Sequence, residues 1–162
     1  MQAVRQLERR VLQVRILSVL IRYDALYQDQ KHKEWAEKIL ITFELLIEEG
    51  GVKDPTYGEW YDEYTGQERG HVLNGFMYAL ISIWECGDYF KSSKANDLFK
   101  KGIQTLNEKL PEFELDSKYF KWSRYDNKCV WCSGIHYHKR VHVYQLKIFI
   151  RDNKRSCIEG NL

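Results

Sequence analysis

Two stretches of this 162-residue chain hold side chains that can move protons. The first is Trp60-Tyr61-Asp62-Glu63-Tyr64. Its Glu63-Tyr64 pair sets a carboxylate beside a phenol just ahead of a helix, and such a pair can exchange protons or orient a sugar. The second stretch is Trp122-Ser123-Arg124-Tyr125-Asp126, followed by Tyr137, His138, Arg140 and His142. Between its two parts lies Cys129-x-x-Cys132, with His136 and His138 just beyond. Thiolates and imidazoles so close together suit a Cys₂His₂ zinc site. The usual spacer of about 12 residues between the two ligand pairs is missing, so such a site would be a tight knuckle. A redox pair is the second reading of the two cysteines, although no thioredoxin-like βαβ pattern surrounds them. The third is a half-buried turn built around Trp131.

These side chains need rigid elements behind them, and helical periodicity supplies those elements. Residues 4–23 read as a helix that is apolar nearly all round toward its end, which implies burial between neighbours. Residues 32–49 repeat apolar side chains at Trp35, Ala36, Ile39, Leu40, Phe43 and Ile47, and Gly50-Gly51 stops that helix. Residues 70–87 are the clearest helix, with Val72, Leu73, Phe76, Met77, Leu80, Ile83 and Trp84 on one face and Gly87 as its stop. Ser92 or Ser93 caps the next helix, which Pro111 ends. Residues 112–136 are irregular with room for a short hairpin, and 137–151 fit a strand or a helix equally. The tail from Asp152 is polar and expected to fray. The rhythm is all-α, in antiparallel helical hairpins within one domain.

Composition narrows the function classes. The chain is 44% hydrophobic and 30% charged, which suits a globular protein with one sizeable core. Its 11 Tyr and 5 Trp favour a carbohydrate- or partner-binding face. Residues 115–162 carry 10 Lys and Arg against 4 Asp and Glu, a net of +6, so this third could attract a polyanion. No run reaches the roughly 20 apolar residues of a membrane span, and the start is too polar for a signal peptide. As given, the chain reads as cytoplasmic. Four cysteines are too few for a disulfide-stapled framework.

The motifs acquire a common meaning from their order. Trp60-Tyr61-Asp62-Glu63-Tyr64 is followed by VLNGFMYALI (72–81), LFKKGIQTLNEKLP (98–111), WSRYD (122–126), Tyr137-His138 and His142-x-x-Gln145-Leu146. In this order they resemble the C-terminal domain of D-glucuronyl C5-epimerases, whose pattern runs WY-x-EYP, VLNGFMYSLIGLY, LF-x-x-G-x-x-(S/T)-L-x-x-x-LP, a YD element and YHTTHINQL. The resemblance covers about residues 11–149. It implies a partial α/α toroid whose loops at one end form a sugar-binding cleft. It further implies a heparosan-type acidic polysaccharide as partner, with no cofactor and no nucleic acid. Carried over residue by residue, the catalytic set is Glu63, Tyr64, Tyr125 and Tyr137.

The implied reaction inverts C5 of a glucuronate. It removes a proton alpha to a carboxylate and returns one to the opposite face, which takes two acid/base groups on opposite sides of the ring. Arg124, His138, Arg140 and His142 supply charge for the developing carboxylate anion, and Trp60 and Asn74 complete the expected substrate contacts. The chain departs from the pattern in places. His142 lies five residues after Tyr137 rather than four, which turns it by about 100° on a helix. Thr65 replaces the proline after Glu-Tyr, and Asn127-Lys128 stand where an arginine commonly follows YD. About five helices are few for a closed toroid, so a homodimer or a partner chain is expected to complete it. Two other functions stay open: a non-catalytic glycan-binding domain, and a zinc-stabilised helical module using Cys129, Cys132, His136 and His138.

Overall fold

The computed structural model describes residues 11–64, 70–116, 119, 121–128 and 140–150. Four long helices form two hairpins: α1 (Val11–Tyr27) with α2 (Gln30–Glu44), and α3 (Leu73–Phe90) with α4 (Ser93–Lys109). Two-residue connections at 28–29 and 91–92 force each pair antiparallel. A further helix, α5, covers 143–150 and is entered through a π turn at 140–142. The stretch that fitted strand or helix equally is therefore helical over 140–150. Among the described residues, no helix is long and apolar enough to cross a membrane. The cysteine and histidine candidates Cys129, Cys132, His136 and His138, and the catalytic candidate Tyr137, lie outside the described residues.

The ends of the helices follow local chemistry. Asp29 caps α2 by accepting from the Lys31 N–H at 2.9 Å. Ser92, rather than Ser93, caps α4 through the Ala95 N–H. Pro111 sits in a 3₁₀ turn, Leu110–Phe113, that closes α4. The α2 helix stops at Glu44, earlier than its periodicity suggests, and a separate 3₁₀ turn covers Ile47–Glu49. Gly87 does not stop α3, which continues to Phe90 and ends at Lys91 with φ 53°. A Cβ at Gly87 would lie 2.3 Å from Asn96 Oδ1, so this glycine permits close approach of α3 to α4.

The α3 helix is the centre of the molecule, packed by both α1 and α4. It buries Leu73, Phe76, Met77, Ala79, Leu80 and Ile83 in one apolar cluster with Leu17, Leu40 and Phe43. Cys86 is sealed in that core, and burial pushes its thiol up to about 12. It should therefore ignore a thiol reagent in the native state and react only on unfolding; rapid labelling without denaturant would contradict this packing.

Two small antiparallel hairpins sit on the bundle. Strand β1 (Lys53–Asp54) pairs with β2 (Trp60–Tyr61), in register Lys53 with Tyr61 and Asp54 with Trp60. Strand β3 (Glu114–Asp116) pairs with β4 (Lys121–Ser123), which is the short hairpin expected in 112–136. The first hairpin draws Trp60 and Tyr61 into the core. Trp60 stacks on Phe76 at 3.9 Å and lies parallel to Phe113 at 5.5 Å. Trp60 was expected to touch substrate. It is instead fully buried, so neither ring face is open to a sugar.

Candidate active site

The first turn of α3 is the point where the separated motifs meet. The opening N–H groups of a helix have no intrahelical acceptors and carry the positive end of its dipole. One is used by the Tyr-Asp segment: the Leu73 N–H donates to the Tyr125 carbonyl at 3.0 Å. Val72 and Asp126 form an antiparallel bridge at the same place. His71 N–H donates to Asn127 Oδ1 at 2.9 Å, and Asn127 N–H donates back to the His71 carbonyl at 3.3 Å. The α5 helix joins from another side, where the Gln145 side-chain amide donates to the Asn74 carbonyl at 3.0 Å. Buried His142, one helical turn from Gln145, is 2.6 Å from Ser123 Oγ through its Nδ1.

Glu63 reaches the same turn from the β2 side. A Cβ built on Gly75 would lie 2.6 Å from Glu63 Oε2 and 2.9 Å from Glu63 Cβ. The Glu63 side chain therefore lies directly over Gly75, in space that any other residue would fill. A carboxylate here is favoured by the helix N-terminus. This gives a physical reason for a glycine inside the apolar helix VLNGFM. Tyr64 follows, half-buried, at the edge of the described stretch.

Asn74 Oδ1 and Gln145 Oε1, on the two residues joined here, are buried without hydrogen bonds among the described residues, and Arg124 Nε is another such atom. Buried polar side-chain atoms are nearly always satisfied, so these call for an explanation. Arg124 is half-buried, and its backbone N–H donates to the Phe113 carbonyl at 2.7 Å. Of the candidate residues, Asn74 belongs to this first turn, the Glu63 side chain lies over it, Tyr125 reaches it through its backbone carbonyl, and His142 sits one turn from Gln145, which bonds to Asn74. Arg140 is exposed at the start of the π turn. His142 is buried, so it holds the wall of the junction through Ser123 instead of offering a free surface for substrate.

A joint beside this turn was not foreseen from the sequence. Asp62, next to Glu63, pairs with His71 Nδ1 at 3.0 Å. On the other side of the ring, Nε2 faces Asp54 at 3.8 Å. Tyr57 stacks on the imidazole at 3.9 Å and donates its hydroxyl to Glu112 at 2.5 Å. That hydrogen bond holds Glu112 below the usual carboxylate range, while burial raises Tyr57. Donor atoms of Asp54, Asp62 and His71 lie within 4.8 Å of one another. The short Asp62–His71 contact makes them a hydrogen-bonded joint that ties the Glu63 segment to the Tyr125 segment through His71 and Asn127.

Burial raises the Asp62 pKa, and the His71 hydrogen bond and charge pull it back down. A raised native pKa means that the folded state binds the proton more tightly than the unfolded chain. Stability therefore falls as pH climbs from the unfolded value of about 3.9. His71→Phe keeps a ring against Tyr57 and removes the compensation, so Asp62 rises further. The variant should match the parent near pH 4 and fall behind by about 1–3 kcal/mol at pH 7. Urea titrations at the two pH values check this; a gap independent of pH would show that the Asp62 charge is not what His71 serves.

The protein-family comparison matches residues 11–160 to the model described as D-glucuronyl C5-epimerase C-terminus. A curated relative, D-glucuronyl C5-epimerase of Caenorhabditis elegans, is 29% identical over 150 residues, covering 81% of this chain and 24% of that protein. An uncharacterized protein of Methanocaldococcus jannaschii is 27% identical over 132 residues, covering 78% of this chain and 40% of its own length. The chain thus spans well under half the length of these relatives. The motifs that converge on the first turn of α3 lie inside the matched region, and the chain belongs to the D-glucuronyl C5-epimerase C-terminus family.

Proposed function

We propose that this chain is a uronyl C5-epimerase-like protein that acts on glucuronate residues of a heparosan-type acidic polysaccharide. The observation that carries this reading is the convergence on α3: Glu63 over Gly75, the Tyr125 backbone carbonyl bonded to the Leu73 N–H, and Gln145 bonded to the Asn74 carbonyl. Membership of the epimerase C-terminal family supports the reaction class. Glu63 and Tyr64 work on one face of the uronate ring, and Tyr125 with Tyr137 on the other. Tyr64 or Tyr137 takes the C5 proton, and a tyrosine across the ring returns one. Arg124 and the open end of α3 stabilise the charge that develops on the substrate carboxylate. Glu63 biases the ionisation of its neighbouring phenol. The helical hairpins form part of an α/α toroid, and no cofactor takes part.

Glu63→Gln tests the role of the carboxylate without changing its shape. C5 hydrogen exchange should fall by at least about 100-fold, the usual scale for losing a positioned acid/base group. Binding of a glucuronate oligosaccharide should change much less. Exchange that survives the substitution intact would remove Glu63 from the mechanism.

A second reading rests on the match being to the C-terminus of the epimerases. A domain that holds the glycan while catalysis needs further chain would bind the oligosaccharide with no exchange in either form. Arg124→Ala should weaken binding under both readings, by about tenfold for a lost charge-assisted contact. Unaltered binding in that variant would place the glycan elsewhere on the protein.

A further inference from the structure

One cluster of charged side chains lies outside the groups assigned to the sugar. Asp54 ends strand β1, Asp62 follows strand β2 and His71 precedes α3, so three separate pieces of chain bring these side chains together. One donor atom from each lies within 4.8 Å of the other two. Each side chain is already oriented. Thr56 holds Asp54 Oδ1 through its N–H at 2.9 Å and its hydroxyl at 2.6 Å, while Asp54 Oδ2 lies 3.8 Å from His71 Nε2. Tyr57 stacks on the His71 ring, and Asn127 brackets the His71 backbone. Asp62 reaches His71 Nδ1 at 3.0 Å. Beside Asp62 stands Trp60, fully buried, its indole N–H without a hydrogen-bond partner among the described residues. That N–H is turned toward the Asp62 carboxylate and favours its charged form.

The charges in this cluster do not balance. Two carboxylates face one imidazole, which carries at most one positive charge. Lys53, next to Asp54, is paired with Glu59 at 2.8 Å. Lys109, over the Tyr57 ring, is paired with Glu112 at 3.0 Å. Both lysines are thus engaged elsewhere. We propose that Asp54, Asp62 and His71 bind one divalent transition-metal cation, each aspartate through one carboxylate oxygen and the histidine through one ring nitrogen. The donor set decides the class of metal. One imidazole with two carboxylates suits Mn²⁺ or Zn²⁺, whereas Ca²⁺ and Mg²⁺ take oxygen ligands. Ligands bonded at about 2.1 Å on neighbouring corners stand roughly 3.0–3.4 Å apart. The Asp62–His71 separation of 3.0 Å is already in that range, and Asp54 Oδ2, at 3.8 Å, needs only a small side-chain turn. The cation takes the place of the proton on the nitrogen that it binds. Thr56, Tyr57 and Trp60 then serve as the outer contacts that hold metal ligands in place. The bound cation locks the first hairpin, the Glu63 segment and the start of α3 into one unit.

Mn²⁺ is the probe, because the thiolates of Cys129 and Cys132 favour zinc over it. Titration of the chelator-treated full chain, followed by the Mn²⁺ paramagnetic resonance signal, should give one cation per chain with a dissociation constant at or below about 100 µM. The thermal midpoint should rise with Mn²⁺ concentration. Asp54→Asn keeps an acceptor for the Thr56 hydrogen bonds and should weaken binding by at least about tenfold. His71→Phe keeps a ring against Tyr57 and should abolish binding. Folded parent chain that takes up no Mn²⁺ at about 1 mM, or uptake that is unchanged in both variants, would overturn the proposal.

Discussion

Gly75→Ala should lower C5 exchange by at least about 100-fold while leaving the protein folded. The added Cβ has no space: it would lie 2.6 Å from Glu63 Oε2 and 2.9 Å from Glu63 Cβ. The carboxylate tip can swing away at little cost, but the Cβ clash means that the whole Glu63 side chain must leave its seat over α3. The helix itself gains, since alanine is favoured over glycine inside a helix by about 1 kcal/mol. These opposing effects keep the thermal midpoint within a few degrees of the parent, on the scale of about 4–8 °C per kcal/mol for a small domain. Exchange and stability thus separate. Gly87→Ala is the control, because its Cβ meets Asn96 of α4 instead. That change should cost stability and act on exchange only through the folded fraction. Equal loss of exchange in both variants would show that Gly75 matters only for packing.

Trp60→Ala should be the most damaging single change to the fold, at about 3–5 kcal/mol. Trp60 is 0% exposed and stacked between Phe76 and Phe113, so its removal leaves a cavity where the first hairpin meets α3. Its indole N–H helps to favour the Asp62 carboxylate without reaching hydrogen-bond geometry, which adds a small electrostatic loss. Thermal or urea unfolding measures the cost. Trp60→Phe conserves most of the stacking and should recover most of the stability. It should also bind a glucuronate oligosaccharide as the parent does, since the ring has no face toward solvent. A Trp60→Phe protein that is stable but has lost the glycan would restore Trp60 as a sugar platform.

The sequence made the helices legible where periodicity and end signals agreed. The apolar repeats of α3 and α4 fall within those helices, and the Ser92 cap and Pro111 fall where the chain turns. Gly87 was misleading because a glycine serves two purposes, ending a helix or admitting a neighbour, and only the position of Asn96 decides between them. Trp60 was misleading for a related reason. An aromatic in a loop looks available until the pairing of Asp54 with Trp60 turns it inward. The all-round apolar character of α1 read as burial between neighbours, and the helix does pack on both α2 and α3, while Ile16, Val19, Tyr23, Leu26 and Tyr27 stay exposed.

Convergence of the site was only partly legible. The order of motifs placed Glu63, Asn74, Arg124 and Tyr125 in one family pattern; Glu63 lies over the start of α3, and the Tyr125 segment reaches it through its backbone. The contacts that assemble them were not visible. Asp62 and His71 are nine residues apart in the chain, a spacing with no helical or strand meaning. Gln145 reaches Asn74 across 71 residues. His142 stands one place off the family spacing, and burial against Ser123 shows that it packs as part of the wall.

The most direct test is to incubate the folded wild-type chain with a glucuronate polymer of heparosan type in D₂O and follow C5 by NMR. Proton abstraction on one face and return on the other predicts deuterium at C5 in both recovered glucuronate and newly formed iduronate. Folded protein that binds the polymer yet leaves C5 fully protonated would contradict catalysis by this chain and leave it as a glycan-binding relative of the epimerases.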